Sequence, residues 1–256
     1  MRRYIDHVLC LLPFEPAALE RLNGPPGTYI GHPAIERLAE FRPGNTEERA
    51  RRDDVARPPV LLLPGSRLSE IRRMLPEFLA SLDLVSVPGC DPDWLIPTLP
   101  HLEAEVRAIV GASGRNVQVA VGEASKLAAF RSARAALAAS GTVTLELALA
   151  GIPTIAAYRV ANWEAAIARR LITAPSAILP NLVLGENVVP EFIQEAMTRE
   201  KLATHLAGIL VDGPARQAQI DAFARLEALM RPMGAKTPSQ QAAEIVMALA
   251  LQKAKH

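Results

Sequence analysis

Apolar positions along the chain fall into short continuous runs separated by longer stretches with helical spacing. Ile5–Leu12 is a compact apolar run of the kind a strand buried on both faces requires. Pro13 ends it, and residues 15–22 predict a short helix closed by the breaker Asn23-Gly24-Pro25-Pro26-Gly27. Tyr29–Pro33 predicts a second short strand that turns sharply, and the polar stretch from Arg42 to Pro59 an exposed connection. Val60–Leu63 is a clean buried strand running into the turn Pro64-Gly65-Ser66-Arg67. Residues 70–84 then place Ile71, Leu75, Phe78, Leu79 and Leu82 on one helical face. A return to strand and loop is predicted over 83–92, whereas Leu95-Ile96-Pro97 fits either state. Beyond it come a helix over 102–110, a strand over 117–121, a helix over 126–134 and a small-residue strand over 135–139. A helix over 143–150 closes at Gly151, and 153–158 is the next strand. A basic amphipathic helix over 162–172 and helices over 202–210, 217–230 and 240–252 complete the pattern.

Strands alternating with helices predict a parallel sheet covered on both faces: an α/β doubly wound domain with a helical C-terminal tail. At 256 residues, half of them hydrophobic, the chain can bury a sizeable core. Its 28 basic and 27 acidic residues nearly cancel, which argues against nucleic acid as a partner. The arginine cluster at 48–52 is mixed in sign and reads as a solvated loop. Cys10 and Cys90 lie far apart and read as small hydrophobes. His7, His32, His101, His205 and His256 are too scattered for a zinc site, so no metal is expected. No stretch reaches the roughly 20 apolar residues of a membrane span, and the first residues lack a signal-peptide pattern. A cytoplasmic protein is the expectation, with contact at a membrane surface compatible.

Three turns stand where such folds bind ligands, at the carboxyl ends of strands. In the first, Gly65 lets the backbone approach a ligand, Ser66 offers a hydroxyl, and Arg67 is a planar cation suited to phosphate oxygens. The same residues also describe an ordinary loop in which Arg67 pairs with Glu70. In the second, Ser140, Gly141 and Thr142 present N–H groups at a helix start, where the dipole favours an anion. Glu146 follows one turn later on the same face and can accept from a ribose diol, or simply face solvent. In the third, Asn181 of Leu179-Pro180-Asn181-Leu182 either reads an amide or hydroxyl or holds a turn. The helix with Trp163, Arg169 and Arg170 offers a face to anionic headgroups or to water.

In this order the pieces resemble the lipid-A-disaccharide synthases. The resemblance rests on Leu12-Pro13-Phe14-Glu15, Ile30-Gly31-His32-Pro33, the segment 62–67, the segment 139–146, the segment 153–159 and Leu179–Leu182. It implies a GT-B glycosyltransferase with two Rossmann-like domains facing across a cleft. Family members join UDP-2,3-diacylglucosamine to 2,3-diacylglucosamine 1-phosphate with inversion, giving lipid A disaccharide and UDP without a cofactor. By the resemblance, Gly65, Ser66 and Arg67 contact the diphosphate beside Ser140, Gly141 and Thr142. Glu146 takes the ribose and Asn181 sits near the donor. Residues 1–33 correspond to the end of an N-terminal acceptor-side domain, 34–230 to the UDP-sugar-binding domain, and 231–256 to a helix returning to the first domain or a partner subunit. The family extends further at the N-terminus, where the catalytic residues are expected, so this chain is expected to hold donor without turnover. A homodimer at the surface of the inner membrane is also implied. His32 is the one weak candidate for the base. The alternatives are a non-catalytic UDP-sugar-binding module, a UDP-sugar epimerase or a lipid-linked muropeptide glucosaminyltransferase.

Overall fold

The computed structural model describes residues 3–159, 176–232, 234 and 236–253. The basic helix expected over 162–172 lies outside these residues. Two parallel sheets are present. The smaller pairs β1 (Val8–Cys10) with β2 (Gly27–Tyr29), joined by the helix α1 (Glu15–Arg21). β1 therefore has a partner on one side. The expected strand at 29–33 lies earlier. Gly31 (φ +83) turns the chain against Pro232, and Pro33, which has no N–H to donate, opens a 3-10 turn to Arg37 that runs into the one-turn helix α2 (Leu38–Phe41).

The larger sheet contains β3 (Pro59–Leu63), β4 (Asp93–Thr98), β5 (Gln118–Val121), β6 (Ala135–Ala139), β7 (Thr154–Tyr158) and β8 (Glu191–Ile193), all parallel, in the order β5-β4-β3-β6-β7-β8. The chain thus starts this sheet in the middle, winds outward one way, then returns past β3 and winds the other way. That is the doubly wound order, and its reversal lies between β3 and β6. The period of two is visible in the packing. Val60, Leu62, Ala135 and Leu137 face one core, with α4 (Leu68–Leu82), α5 (Glu103–Ser113) and α9 (Arg199–Leu210) against it. Leu61, Leu63, Ala136 and Ala138 face the other, covered by α6 (Glu123–Ser132), α7 (Thr142–Leu149) and α10 (Pro214–Met230).

Two expectations are corrected here. The strand predicted over 83–92 begins only at Asp93, and the preceding residues form turns around Pro88-Gly89. Proline inside a strand usually marks an edge. β4 tolerates Pro97 because its pairing to β3 ends at Leu95, while Ile96–Thr98 pair with β5. The exposed connection at 42–59 contains α3 (Thr46–Asp53), capped by Asn45, whose side chain accepts from the Glu48 N–H at 2.8 Å. α3 buries none of its residues, as a polar stretch should. Its Arg52 nevertheless donates to the carbonyls of Ala150 (2.8 Å) and Phe130 (2.6 Å), so the arginine cluster ties helix ends together and is not a solvated loop.

At the end of the chain, α8 (Leu179–Leu184) precedes β8, and α11 (Pro238–Lys253) reaches back to the 3-10 turn. There the Ser239 N–H and hydroxyl donate to the Glu36 carboxylate at 2.8 and 3.1 Å. The Tyr29 hydroxyl similarly donates to the carbonyl of Leu229 at 2.9 Å. Both contacts fasten the chain's last helices to its first elements.

Candidate functional site

A cleft of about 440 Å³ opens at the carboxyl ends of β3 and β6, on the reversal point of the sheet. Gly65, Ser66 and Arg67 form one wall; Ser140, Gly141 and Thr142, with Glu146 behind them, form the other. Seven of the eight residues expected at the donor are therefore brought together. Asn181 is not among them. It is 2% exposed, its amide donates to the Val189 carbonyl at 2.9 Å, and its oxygen accepts from the Val188 and Val189 N–H groups at 3.1 and 2.9 Å. Its side chain holds the turn from α8 into β8 and is not part of the lining of this cleft.

The two helix starts that face the cleft differ. α7 begins at Gly141 with no side chain capping its first amides, so these N–H groups and the dipole are open to an anion. The Ser140 hydroxyl donates to the Ala177 carbonyl at 2.8 Å, which orients it and leaves its lone pairs. At the start of α4, in contrast, Glu70 caps the helix from inside. Its carboxylate accepts from the Ser66 and Arg67 N–H groups and pairs with Arg67 at 2.7 Å. The Arg67–Glu70 pair is the ordinary-loop arrangement left open above, here inside the cleft wall.

Sequence reasoning missed three contributors. Lys126, from α6, enters the cleft and pairs with Glu146 at 2.7 Å, both side chains 24% exposed. Glu123 lines the same edge and pairs with Arg37 at 2.7 Å; that guanidinium holds its carboxyl below the usual range. Thr98 lies at the end of β4. A signal for Lys126 existed: Gly122, at φ +87, ends β5 and starts α6, a fourth strand end at the same edge of the sheet. Each carboxylate lining the cleft, Glu70, Glu123 and Glu146, is thus engaged by a cation.

His32 has its Nδ1 engaged, accepting from the Ala34 N–H at 3.1 Å as cap of the 3-10 turn. Burial pushes its imidazole below the ordinary value, against the opposing pull of Glu146 and Glu15. Among the described residues no group of three or more His, Cys, Asp or Glu is arranged to hold a metal. No helix among them is long and apolar enough to cross a membrane.

Comparison with known families decides what this cleft is part of. Residues 1–246 match the family described as lipid-A-disaccharide synthetase. The chain belongs to that family. It is 53% identical over 250 residues to the lipid-A-disaccharide synthase of Rhodopseudomonas palustris (strain BisB18), covering 97% of this chain and 62% of that protein. The synthase of Bradyrhizobium diazoefficiens is 52% identical, again over 97% of this chain and 62% of the relative. That of Rhodospirillum centenum is 38% identical over 96% and 61%. The chain therefore spans about three fifths of the length of these lipid-A-disaccharide synthases. In fold, it is similar to the N-terminal domain of trehalose-6-phosphate phosphatase from Candida albicans, with a TM-score of 0.52 at 12% identity, over 89% of this chain and 50% of that one. At that identity the likeness concerns architecture alone, and it agrees with the parallel doubly wound sheet. The expected family and the expected α/β class are both borne out, and the family is one of glycosyltransferases that serve lipid A synthesis.

Proposed function

We propose that the cleft holds the UDP moiety of UDP-2,3-diacylglucosamine, as the donor half of a glycosyltransferase that forms lipid A disaccharide with inversion. The observation that carries this reading is the meeting of two cations, Arg67 and Lys126, with the uncapped start of α7 in one cleft at the sheet's reversal point. A diphosphate placed there meets the Ser140–Thr142 segment, while Glu146 reaches a ribose hydroxyl and gives up part of its hold on Lys126. In sugar transfer, the negative charge that develops on the departing diphosphate is what these donors would stabilise. The proton of the acceptor hydroxyl, on 2,3-diacylglucosamine 1-phosphate, needs a base with a free lone pair. Among the described residues lining the cleft, Glu70, Glu123 and Glu146 are each ion-paired, which lowers their basicity, and His32 Nδ1 is engaged; in this reading the chain binds donor without turnover of its own.

Both substrates of this reading are acylated, and in it the protein works at the cytoplasmic surface of the inner membrane. It acts there as a homodimer that covers the exposed Val246, Met247 and Leu251 of α11. Isothermal titration of the chain with UDP tests the central step. Saturable heat that weakens in Lys126→Met and in Arg67→Ala is expected, and no heat at millimolar UDP overturns it. Formation of disaccharide from donor and acceptor by this chain would overturn the assignment of binding alone.

A further inference from the structure

The turn after β3 already contains an anion. Glu70 Oε2 accepts from the backbone N–H of Ser66 at 2.9 Å and of Arg67 at 3.2 Å, while Oε1 accepts from Arg67 Nη1 at 2.7 Å. Gly65 is what makes room for it. Its φ is +124, and a Cβ built there would lie 2.5 Å from Glu70 Oε2 and 2.6 Å from Glu70 Cβ. The glycine therefore serves an internal carboxylate, where the sequence alone pointed to the close approach of a ligand.

Two consequences follow for a phosphate group. The amide pair that a strand-to-helix turn offers to anions is filled on this wall, whereas α7 opposite offers amides with no side-chain cap. Among the described residues, Arg67 is held by one nitrogen only, and its side chain is 76% exposed, so its other donors remain for a partner. An exposed ion pair of this kind adds little to folding stability. Its effect is on entropy: an arginine restrained in place loses less freedom when it meets a ligand.

We propose that Glu70 is a positioning residue for phosphate binding. It fills the amides of the β3–α4 turn, sets the direction of Arg67, and thereby directs the diphosphate of a nucleoside diphosphate onto the amides of α7. The role rests on the nucleotide reading above.

Glu70→Gln separates this role from a structural one. The amide oxygen still accepts from the turn, but its NH₂ then faces the guanidinium and the ion pair is lost. UDP affinity in the titration should fall about tenfold, with uridine affinity and Tm unchanged. Arg67→Ala should show the same loss, and the double variant no further loss. An equal loss for UDP and uridine, additivity with Arg67→Ala, or tighter UDP binding in Glu70→Gln would overturn the proposal. Hydrogen exchange reads the placement without ligand: protection of the Ser66 and Arg67 amides should be lost in Glu70→Ala, and persistence of that protection counts against it. Absence of UDP heat from the unsubstituted chain overturns the nucleotide reading itself, an outcome distinct from an effect confined to the Glu70 variants.

Discussion

Asn181 and His32 are chemically capable side chains that the fold uses for its own backbone. With three hydrogen bonds to Val188 and Val189 in a buried setting, Asn181→Ala leaves donors and acceptors without partners, at a cost of about 1–3 kcal/mol per unsatisfied group. Urea unfolding checks this, and an unchanged midpoint would show that water takes over the role. His32 gives stability a pH dependence whose sign is fixed by burial. Its folded pKa lies below the unfolded 6.5, so around and below that pH the unfolded chain binds a proton that the folded chain excludes. The contribution is complete above pH 6.5 and declines as pH falls through the window down to the folded value. Asn caps helices well and does not titrate, so His32→Asn should keep the 3-10 turn and flatten that part of the profile. Identical profiles for the two proteins would remove His32 as the cause. At this scale, sequence patterns locate side chains near strand ends but not their partners. The pairing of Lys126 with Glu146 depends on two helices meeting across the sheet edge, which no local spacing encodes.

Elements were legible where composition and burial agree. β3, β6 and β7 are apolar runs, and each is almost wholly buried between two helical layers. Leu137, in the middle of β6 and without exposed surface, ties α4, α9 and the neighbouring strands into one core. Leu137→Ala should therefore destabilise by about 2–5 kcal/mol, because the facing helices cannot collapse onto the gap. A loss under 1 kcal/mol in chemical denaturation would mean that this layer is looser than its packing indicates. The elements that sequence misplaced have physical reasons. α3, Thr46–Asp53, presents no apolar stripe because nothing buries it, and it is held by its Asn45 cap and by Arg52 reaching carbonyls elsewhere. β4 carries a proline that argues against a strand until its one-sided pairing beyond Leu95 is known. The turns at Gly65–Arg67 and Ser140–Thr142 were legible as a site because strand ends and small residues mark them. Their division of labour was not, since it depends on Glu70 folding back onto one and no side chain capping the other.

Across the whole molecule, α11 is the element least supported by its own chain. Pro238 is the one buried residue among its described positions, and Val246, Met247 and Leu251 are each more than half exposed. Among the described residues, its polar links include Ser239 on the exposed Glu36 carboxylate and Glu244 on Lys236. A 16-residue helix gains most of its stability from tertiary packing, so α11 needs a surface that one copy of the described chain does not provide. If the homodimer proposed above supplies that surface, stability must depend on protein concentration by mass action. In submicromolar solution, a chain ended after Pro232 should unfold at nearly the same urea midpoint as the full chain, because Pro238 is the one buried residue among the described positions it loses. At tens of micromolar the full chain should be the more stable of the two, and sedimentation should show it associating while the shortened chain stays monomeric. A midpoint that is independent of concentration for the full chain, with both proteins monomeric throughout, would remove the dimer and leave the apolar face of α11 to the family's first domain or to the membrane surface.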